Sequence, residues 1–215
     1  MSDAVKGRRR YDATGRREQA RRSRRAVLDA ARRLFLERGY AATTVAEVAA
    51  EAGVSVETVY KAFGNKPGLV KAVFDVAIAG DDEPVPMEER DMVRRLEAAS
   101  DPHEKLAVYG AHLAATLPRH VPIQLVVRAA AASDAGAAGV WAQLQAERLR
   151  GMGMFAHHLA ASGCLRPGVP EEEARDVLWA HTSTELYELL VMSRGWDVER
   201  YVRWVVAQLK AALLA

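Results

Sequence analysis

The chain has 215 residues, 50% of them hydrophobic, so it can bury a substantial core in one domain or in a small domain plus a larger one. Its single cysteine, Cys164, excludes an internal disulfide, its polar N-terminus excludes a signal peptide, and no apolar run is long enough to span a membrane. These features predict a soluble, cytoplasmic protein with no membrane partner.

The charge is distributed unevenly along the chain. Residues 1–25 hold ten Arg and Lys against three acids, a net charge of +7, whereas the whole chain has a formal net charge of +2. A basic segment beside a slightly acidic body is typical of nucleic-acid binding, although a solvated tail could have the same composition. We expect residues 1–22 to form a basic arm that binds DNA and that is disordered on its own as far as about residue 20.

Helical spacing of apolar residues follows the arm, and Gly39 is the expected end of the first helix. Thr44 and Glu47 have the spacing of a capping box, which predicts a short second helix ending near Gly53. Ser55 is then placed to cap a third helix. The predicted buried side of that third helix consists of three residues: Val59, Ala62 and Phe63. Two short helices joined by a tight turn predict a helix-turn-helix.

The sequence GNKPG at residues 64–68 has the composition of a phosphate-binding loop, but its context differs. Such a loop follows a buried strand and has Ser or Thr after the lysine, whereas here a helix precedes it and Pro67 follows Lys66. Asn65 is therefore predicted to cap a fourth helix, with Pro67 in its first turn.

Residues 24–74 resemble the N-terminal domain of the tetracycline-repressor (TetR) family of bacterial transcriptional regulators. The resemblance rests on residues at fixed spacing, which include Gly39-Tyr40, Thr43-Thr44-Val45, Ala52-Gly53-Val54-Ser55, Thr58-Val59-Tyr60, Phe63 and Lys66. It implies a homodimer that represses genes and releases its operator when a small molecule enters the C-terminal domain. Pro67-Gly68 departs from the commoner helix-forming pair, which is expected to weaken the first turn of the fourth helix.

The outer face of the third helix is predicted to contact DNA. The first residues of a recognition helix reach base edges in the major groove, so Val56 is a candidate for a thymine methyl and Glu57 for a cytosine amino group. Six residues are predicted to contact phosphates, which position the protein without specifying sequence: Thr44, Ser55, Thr58, Tyr60, Lys61 and Lys66. Thr44 and Ser55 would also be favoured as caps without DNA, and Tyr60 could instead pack on the fourth helix.

A breaker-rich acidic connector near residues 80–86 separates a DNA-binding domain, residues 23–80, from a second domain, residues 88–215. Helical patterns in the second domain run near residues 88–99, 103–117, 121–133, 138–161, 171–194 and 197–214. The predicted fold class is therefore all-α, with an N-terminal helix-turn-helix domain and a C-terminal helical domain for ligand binding and dimerisation.

Arg148 and His158 interrupt an otherwise apolar face of the helix predicted at residues 138–161. A few polar groups in an aromatic lining suit a ligand cavity, although a satisfied core histidine and a snorkelling arginine would give the same pattern. The candidate ligand-binding residues are Tyr109, His112, Trp141, Arg148, Phe155 and His158. No histidine pair has metal-ligand spacing and no nucleophile motif is present, so no metal, cofactor or enzymatic activity is predicted.

The last two predicted helices carry more apolar surface than one protomer needs. Trp204 lies opposite the inward face of its helix, and the helix at residues 171–194 is apolar almost all round. A twofold partner supplying the same pair would form a four-helix interface. The predicted interface residues are Trp179, Tyr187, Val191 and Trp204.

The sequence thus predicts a homodimeric DNA-binding regulator, a repressor that an unidentified small organic effector releases from double-stranded DNA at a palindromic operator. Two alternatives remain open. One is a helical-domain enzyme carrying a DNA-binding module. The other is an architectural DNA binder without a ligand, which a closed, fully packed C-terminal core would favour.

Overall fold

The computed structural model describes residues 3–83, 85–86 and 89–214, with side chains from residue 15 onward. The described chain is helical and contains no strand, which confirms the all-α prediction. Its helices are α1 (Asp3–Ala42), α2 (Val45–Glu51), α3 (Val56–Phe63), α4 (Lys66–Ala79), α5 (Asp91–Ala98), α6 (Pro102–Ala131), α7 (Ala135–Ala161), α8 (Glu171–His181), α9 (Thr184–Tyr187) and α10 (Val198–Leu213). A π-helical turn, Glu188–Ser193, continues α9.

The basic arm is part of α1. The chain is helical from Asp3 with one interruption at Gly39, whose φ of 80° bends the backbone at the predicted stop. The expected disorder of the arm differs from this structure. Arg and Ala make up ten of residues 3–22, and both are good helix formers. Met1 and Ser2 lie outside the described residues.

The predicted break between residues 117 and 121 is wrong, because α6 runs unbroken for 30 residues through Pro118 and Pro122. A proline inside a helix removes one hydrogen bond. Here α6 packs against α1, α4, α7 and α10 along its length, and that tertiary packing outweighs the local cost.

The predicted single helix at residues 171–194 is also wrong. α8 ends at His181, and α9 begins at Thr184 with Ser183 as its N-cap. The Ser183 hydroxyl accepts a hydrogen bond from the Leu186 amide at 3.4 Å. Ser183 was thus a start signal within an apolar run that otherwise looked continuous.

Two apolar cores share the long helices. The first core joins α1–α4 to residues from the second half of α6 and the first half of α7: Ile123, Val127, Ala137, Val140 and Leu144. The second core joins α5, the first half of α6 and the second half of α7 to α8–α10. The connector near residues 80–86 separates the two predicted domains in sequence. The two cores are not separate in the same way, because α6 and α7 contribute residues to both.

The start of α7 lies directly against the start of α4. A Cβ at Gly136 would lie 2.6 Å from the Pro67 Cγ and 3.4 Å from the Tyr40 hydroxyl, so only glycine fits this approach without a shift. The first turn of α7 is thus in contact with the end of α1 and the start of α4.

Candidate nucleic-acid interface and effector cavity

The turn between α2 and α3 is fixed by caps and by one glycine. Thr44 and Glu47 form a reciprocal capping box, with N···O distances of 3.2 and 2.8 Å. The Ser55 hydroxyl accepts from the Thr58 amide at 3.1 Å. Gly53 has a φ of 67°, which favours glycine at this position. The predicted helix-turn-helix is present, with Thr44 and Ser55 as its caps.

The outer face of α3 is open to solvent. Val56 is 39% exposed and Tyr60 is 49% exposed, and Glu57 and Lys61 are exposed beside them. Ala62 is exposed as well, so its predicted burial is wrong. At 100° per residue, Ala62 lies about 300° around the helix from Val59, whereas Phe63 lies only about 40° from it.

The two lysines predicted to reach phosphates differ in their surroundings. Lys61 has no hydrogen bond or ion pair with any described residue. Lys66 lies 4.2 Å from the Tyr40 ring centroid and donates to the Ala41 carbonyl at 3.3 Å. Burial lowers the pKa of Lys66. Lys66 therefore has a structural role of its own, whereas the ammonium of Lys61 is available to a partner.

The C-terminal end of the arm and the residues just after it contact the acidic connector. Arg24 lies 2.8 Å from Asp82 and stacks over the Phe63 ring at 4.7 Å, and Arg21 lies 3.3 Å from Glu83. Part of the basic charge of the N-terminal segment is thus balanced within the chain.

A cavity of about 890 Å³ lies between the two cores. Five of the six predicted ligand-binding residues line it: Tyr109, His112, Arg148, Phe155 and His158. The prediction for Trp141 is wrong, because Trp141 packs at the edge of the first core and is not part of the lining. Trp141 precedes Arg148 by seven residues, about 10 Å along α7, and so lies in the half of the helix that packs on α1–α4.

The interior of the cavity contains polar groups on apolar walls. The Tyr109 ring packs edge-on against Phe155 at 5.0 Å, and its hydroxyl lies 3.4 Å from the Met152 sulfur. Burial raises the pKa of Tyr109 to about 12, so this phenol is neutral at physiological pH. Thr182, buried beside Arg148, donates to the Leu178 carbonyl at 2.8 Å.

His158 bonds to a lysine that the sequence prediction missed. Its Nε2 lies 2.7 Å from the Nζ of Lys105, which is buried and also donates to the carbonyls of Leu96 and Ala99. Burial, and to a smaller extent the charge of Lys105, lowers the pKa of His158. This favours a neutral imidazole whose Nε2 accepts a hydrogen bond from the Lys105 ammonium.

The prediction also missed four buried polar residues in the cavity lining: Thr116, His120, Gln124 and Thr182. His120 Nδ1 lies 3.2 Å from the Gln124 side-chain oxygen, which also accepts from Thr184 at 3.0 Å. The spacing of His120 and Gln124, one helical turn apart on an apolar face, was the available signal.

The argument for the predicted dimer interface needs correction. Tyr187 is 5% exposed and packs edge-on against Tyr201 at 5.4 Å, so it is part of the protomer core. Trp204 is half-buried, with its ring 6.2 Å from that of Trp196, and is not left in water as expected. Trp179 and Val191 are also half-buried. Ser183 has an extended backbone (φ −68°, ψ 149°) that interrupts the helix, so the faces projected for a single helix do not apply beyond it.

No described helix is both long and apolar enough to cross a membrane. Within the described chain, no three His, Cys, Asp or Glu residues are grouped so that they could hold a metal ion. His157 and His158 have separate partners, since His157 bonds to Glu171 at 3.2 Å and His158 to Lys105.

A capped helix-turn-helix with an open outer face, packed on a helical domain that holds a cavity, is an arrangement found in helix-turn-helix DNA-binding proteins. The family profile described as "Bacterial regulatory proteins, tetR family" matches residues 27–73. This match covers the helix-turn-helix domain, which is therefore similar to the N-terminal domain of TetR-family regulators.

Curated relatives match in the DNA-binding domain. The regulator TtgR of Pseudomonas putida is 43% identical over 58 residues, 27% of this chain and 28% of that protein. The uncharacterized regulator YvkB of Bacillus subtilis is 49% identical over 47 residues, 22% of this chain and 25% of that protein. The chain thus matches about a quarter of the length of these relatives.

Solved structures match over most of the chain. SmeT of Stenotrophomonas maltophilia in its complex with triclosan has a TM-score of 0.68 at 22% identity, covering 90% of this chain and 92% of that chain. NalD of Pseudomonas aeruginosa has a TM-score of 0.68 at 20% identity, covering 91% of this chain and 98% of that chain. At these identities the similarity shows the fold alone.

Proposed function

We propose that the protein is a homodimeric repressor that binds a palindromic operator through α3 and leaves it when a small organic molecule occupies the cavity. One observation carries the proposal: the cavity lies between the core that supports α3 and the core of the C-terminal domain. Phe74 and Val76 of α4 line it from one side, and Tyr109 and Phe155 from the other. A ligand there contacts both parts and can shift their relative position.

On the DNA side, the proposal assigns base contacts to Val56 and Glu57. Phosphate contacts are assigned to Tyr60, Lys61 and Thr58, with the caps Thr44 and Ser55 and the partly engaged Lys66 at the edges. The exposure of this face of α3 supports the assignment. The N-terminal turn of a recognition helix is the part that meets base edges in helix-turn-helix proteins.

The relatives support the effector role. SmeT is named as the repressor of a multidrug efflux pump and was solved with triclosan, and NalD is named as a secondary repressor of such a pump. An internal cavity weighs against the architectural DNA binder, which needs no ligand. The regulator names of the curated relatives weigh against an enzyme.

DNA binding is tested by selecting the purified protein against a random duplex library at about 0.1 M salt, where phosphate contacts still contribute. We expect a palindrome whose half-sites lie about 34–36 Å apart or somewhat more. Selection of no sequence, or of a single half-site without symmetry, would contradict the proposal.

The dimer is proposed to form through α8, α9 and α10, with exposed apolar residues of the π-helical turn at its centre. Leu189 and Met192 are each 55% exposed there, next to the half-buried Val191 and Trp204. Leu189→Glu should produce monomers, as measured by sedimentation. Its helical content should be unchanged and its binding to the operator weak. Val85→Glu, on the connector, is the matched control and should stay dimeric. A Leu189→Glu protein that remains dimeric places the interface elsewhere.

A further inference from the structure

Nearly all acids in the cavity lining are already bonded to cations. Five of the six acidic lining residues form ion pairs: Asp75 and Glu147 with Lys71, Asp81 with Arg90, Asp82 with Arg24, and Glu83 with Arg21. The sixth, Glu97, is exposed and lies near His158. These acids therefore supply no counter-charge to the inner wall formed by α7.

Arg148 is on that wall and has no carboxylate partner. Its guanidinium donates to the Trp179 carbonyl, to the Thr182 hydroxyl at 3.4 Å and to the Gln145 side-chain oxygen at 3.2 Å. It also stacks on the Trp179 ring at 4.6 Å. All three hydrogen-bond acceptors are neutral, so the positive charge of Arg148 is held in place but not balanced.

The nearest acids on the facing helices are already paired elsewhere. The charge of Glu185 interacts with that of Arg148, but the Glu185 carboxylate forms an ion pair with Arg128 at 3.1 Å. Glu188 forms an ion pair with the same Arg128. Burial lowers the pKa of Arg148, but a guanidinium remains charged in a protein. A partly buried charge without a counter-charge carries a desolvation cost. The buried Lys105 also has neutral partners only, but it is not among the residues that line the cavity.

Unsatisfied donors gather around the same guanidinium. Among the described residues, four buried side-chain atoms have no hydrogen-bond partner: Arg119 Nε, Arg148 Nε, Trp179 Nε1 and Tyr201 Oη. Three of the four belong to Arg148 or to residues that interact with it, through the stacking on Trp179 and the electrostatic coupling to Tyr201. An N–H or phenol O–H of this kind requires an acceptor, and buried donors are rarely left without one.

We propose that the effector, on the repressor function proposed above, is an organic anion: a carboxylate carried on an apolar body. The carboxylate oxygens accept from Arg148, whose fork of donors matches a carboxylate, and from the hydroxyl of Tyr109, the tyrosine that lines the same cavity. The apolar body lies against Phe155, Leu113 and Phe74. The volume of about 890 Å³ suits one molecule of this size. Two of the lining arginines have no described carboxylate partner, the exposed Arg150 and the half-buried Arg148, and only Arg148 is fixed on the inner wall by hydrogen bonds.

The test compares acids with their neutral amides on the full-length protein. The probes are 2-naphthoate with 2-naphthamide, and octanoate with octanamide, titrated by calorimetry. Wild type should bind each acid about tenfold or more tightly than the matched amide, because only the acid provides a charge-assisted hydrogen bond. Arg148→Met should lose this preference while amide binding stays the same. Arg150→Met changes the other lining arginine without a carboxylate partner, which is exposed two residues further along α7, and this variant should keep the preference.

If Arg148→Met does not fold, Arg148→Lys replaces it. Lysine keeps the charge but loses the planar fork, so the acid should bind several-fold more weakly with the amide unchanged. Equal binding of acid and amide by wild type, binding of neither, or loss of the preference in Arg150→Met instead of Arg148→Met would each overturn the proposal.

Release of the selected operator duplex is measured separately with the same probes. Acid binding that depends on Arg148 without release of DNA supports the anion site and contradicts the effector mechanism. Release by the neutral amides alone supports the mechanism and overturns the anion site.

Discussion

Lys61 on α3 and Arg148 on α7 both carry a positive charge that no described carboxylate bonds to, but they lie in opposite surroundings. Lys61 is exposed on the outer face of the DNA-binding domain, and Arg148 lies against the wall of the cavity. An exposed unpaired lysine is common and costs little, so its meaning comes from the motif around it. A buried unpaired guanidinium is costly, so its position alone indicates a partner.

The largest effect expected on the outer region is a loss of DNA binding without a loss of stability. Tyr60→Ala combined with Lys61→Ala should weaken operator binding by on the order of 2–5 kcal/mol, because a stacking or phosphate-bonding phenol and an ammonium are removed together. The urea midpoint should not change, since both side chains are exposed. Arg95→Ala, an exposed arginine on α5, is the charge-matched control. Equal losses in both proteins would mean that only net charge matters.

The inner region should instead respond to pH. His120 is 8% exposed, and burial lowers its pKa to about 4, with smaller contributions in the same direction from His112, Arg119 and Arg148. The unfolded chain binds this proton below about pH 6.5 and the folded chain only near pH 4, so stability falls as the pH decreases through this window. The loss should be on the order of 3 kcal/mol relative to His120→Gln. Parallel stability curves for the two proteins would show that His120 does not titrate in this way.

The smallest effect concerns the support beneath α3. A Cβ at Gly68 would lie 2.2 Å from the Phe63 carbonyl oxygen, at the junction where α3 ends and α4 begins. Gly68→Ala should destabilise the protein by about 1–3 kcal/mol, measured by urea unfolding, because the backbone must shift. Gly139→Ala on α7 is the control: nothing lies within 4 Å of its added Cβ, and it should be neutral or stabilising. An unchanged free energy of unfolding in Gly68→Ala would show that the backbone at the α3–α4 junction shifts at little cost.

The two regions also differ in how far the sequence predicted them. Thr44, Ser55 and Asn65 are local caps, and each has its signal within three residues, so the helix-turn-helix could be derived from short-range rules. Gly68 shows the limit of those rules. It was expected only to weaken a helix, whereas the structure requires it for a close approach to Phe63.

The cavity depends on long-range packing that a helical projection does not contain. Arg148 was identified because a polar residue on an apolar stripe is visible in the sequence. Trp141, on the same stripe, was assigned wrongly, since the sequence does not show where α7 passes from one core to the other. Tyr187 was misplaced for a related reason: the break at Ser183 interrupts the single helix on which the projection relied.

The sharing of α6 and α7 between the two cores determines where this protein can be recombined with a relative. A chimera joined at the connector near residues 80–86 would set foreign side chains in place of Ile123, Val127 and Val140 against the native α1 and α4. Gly136 would have to be supplied by the incoming half, or its contact with Pro67 would become a clash. A working exchange of effector specificity should therefore keep residues 123–144 with the DNA-binding half and replace only the remainder of the cavity wall.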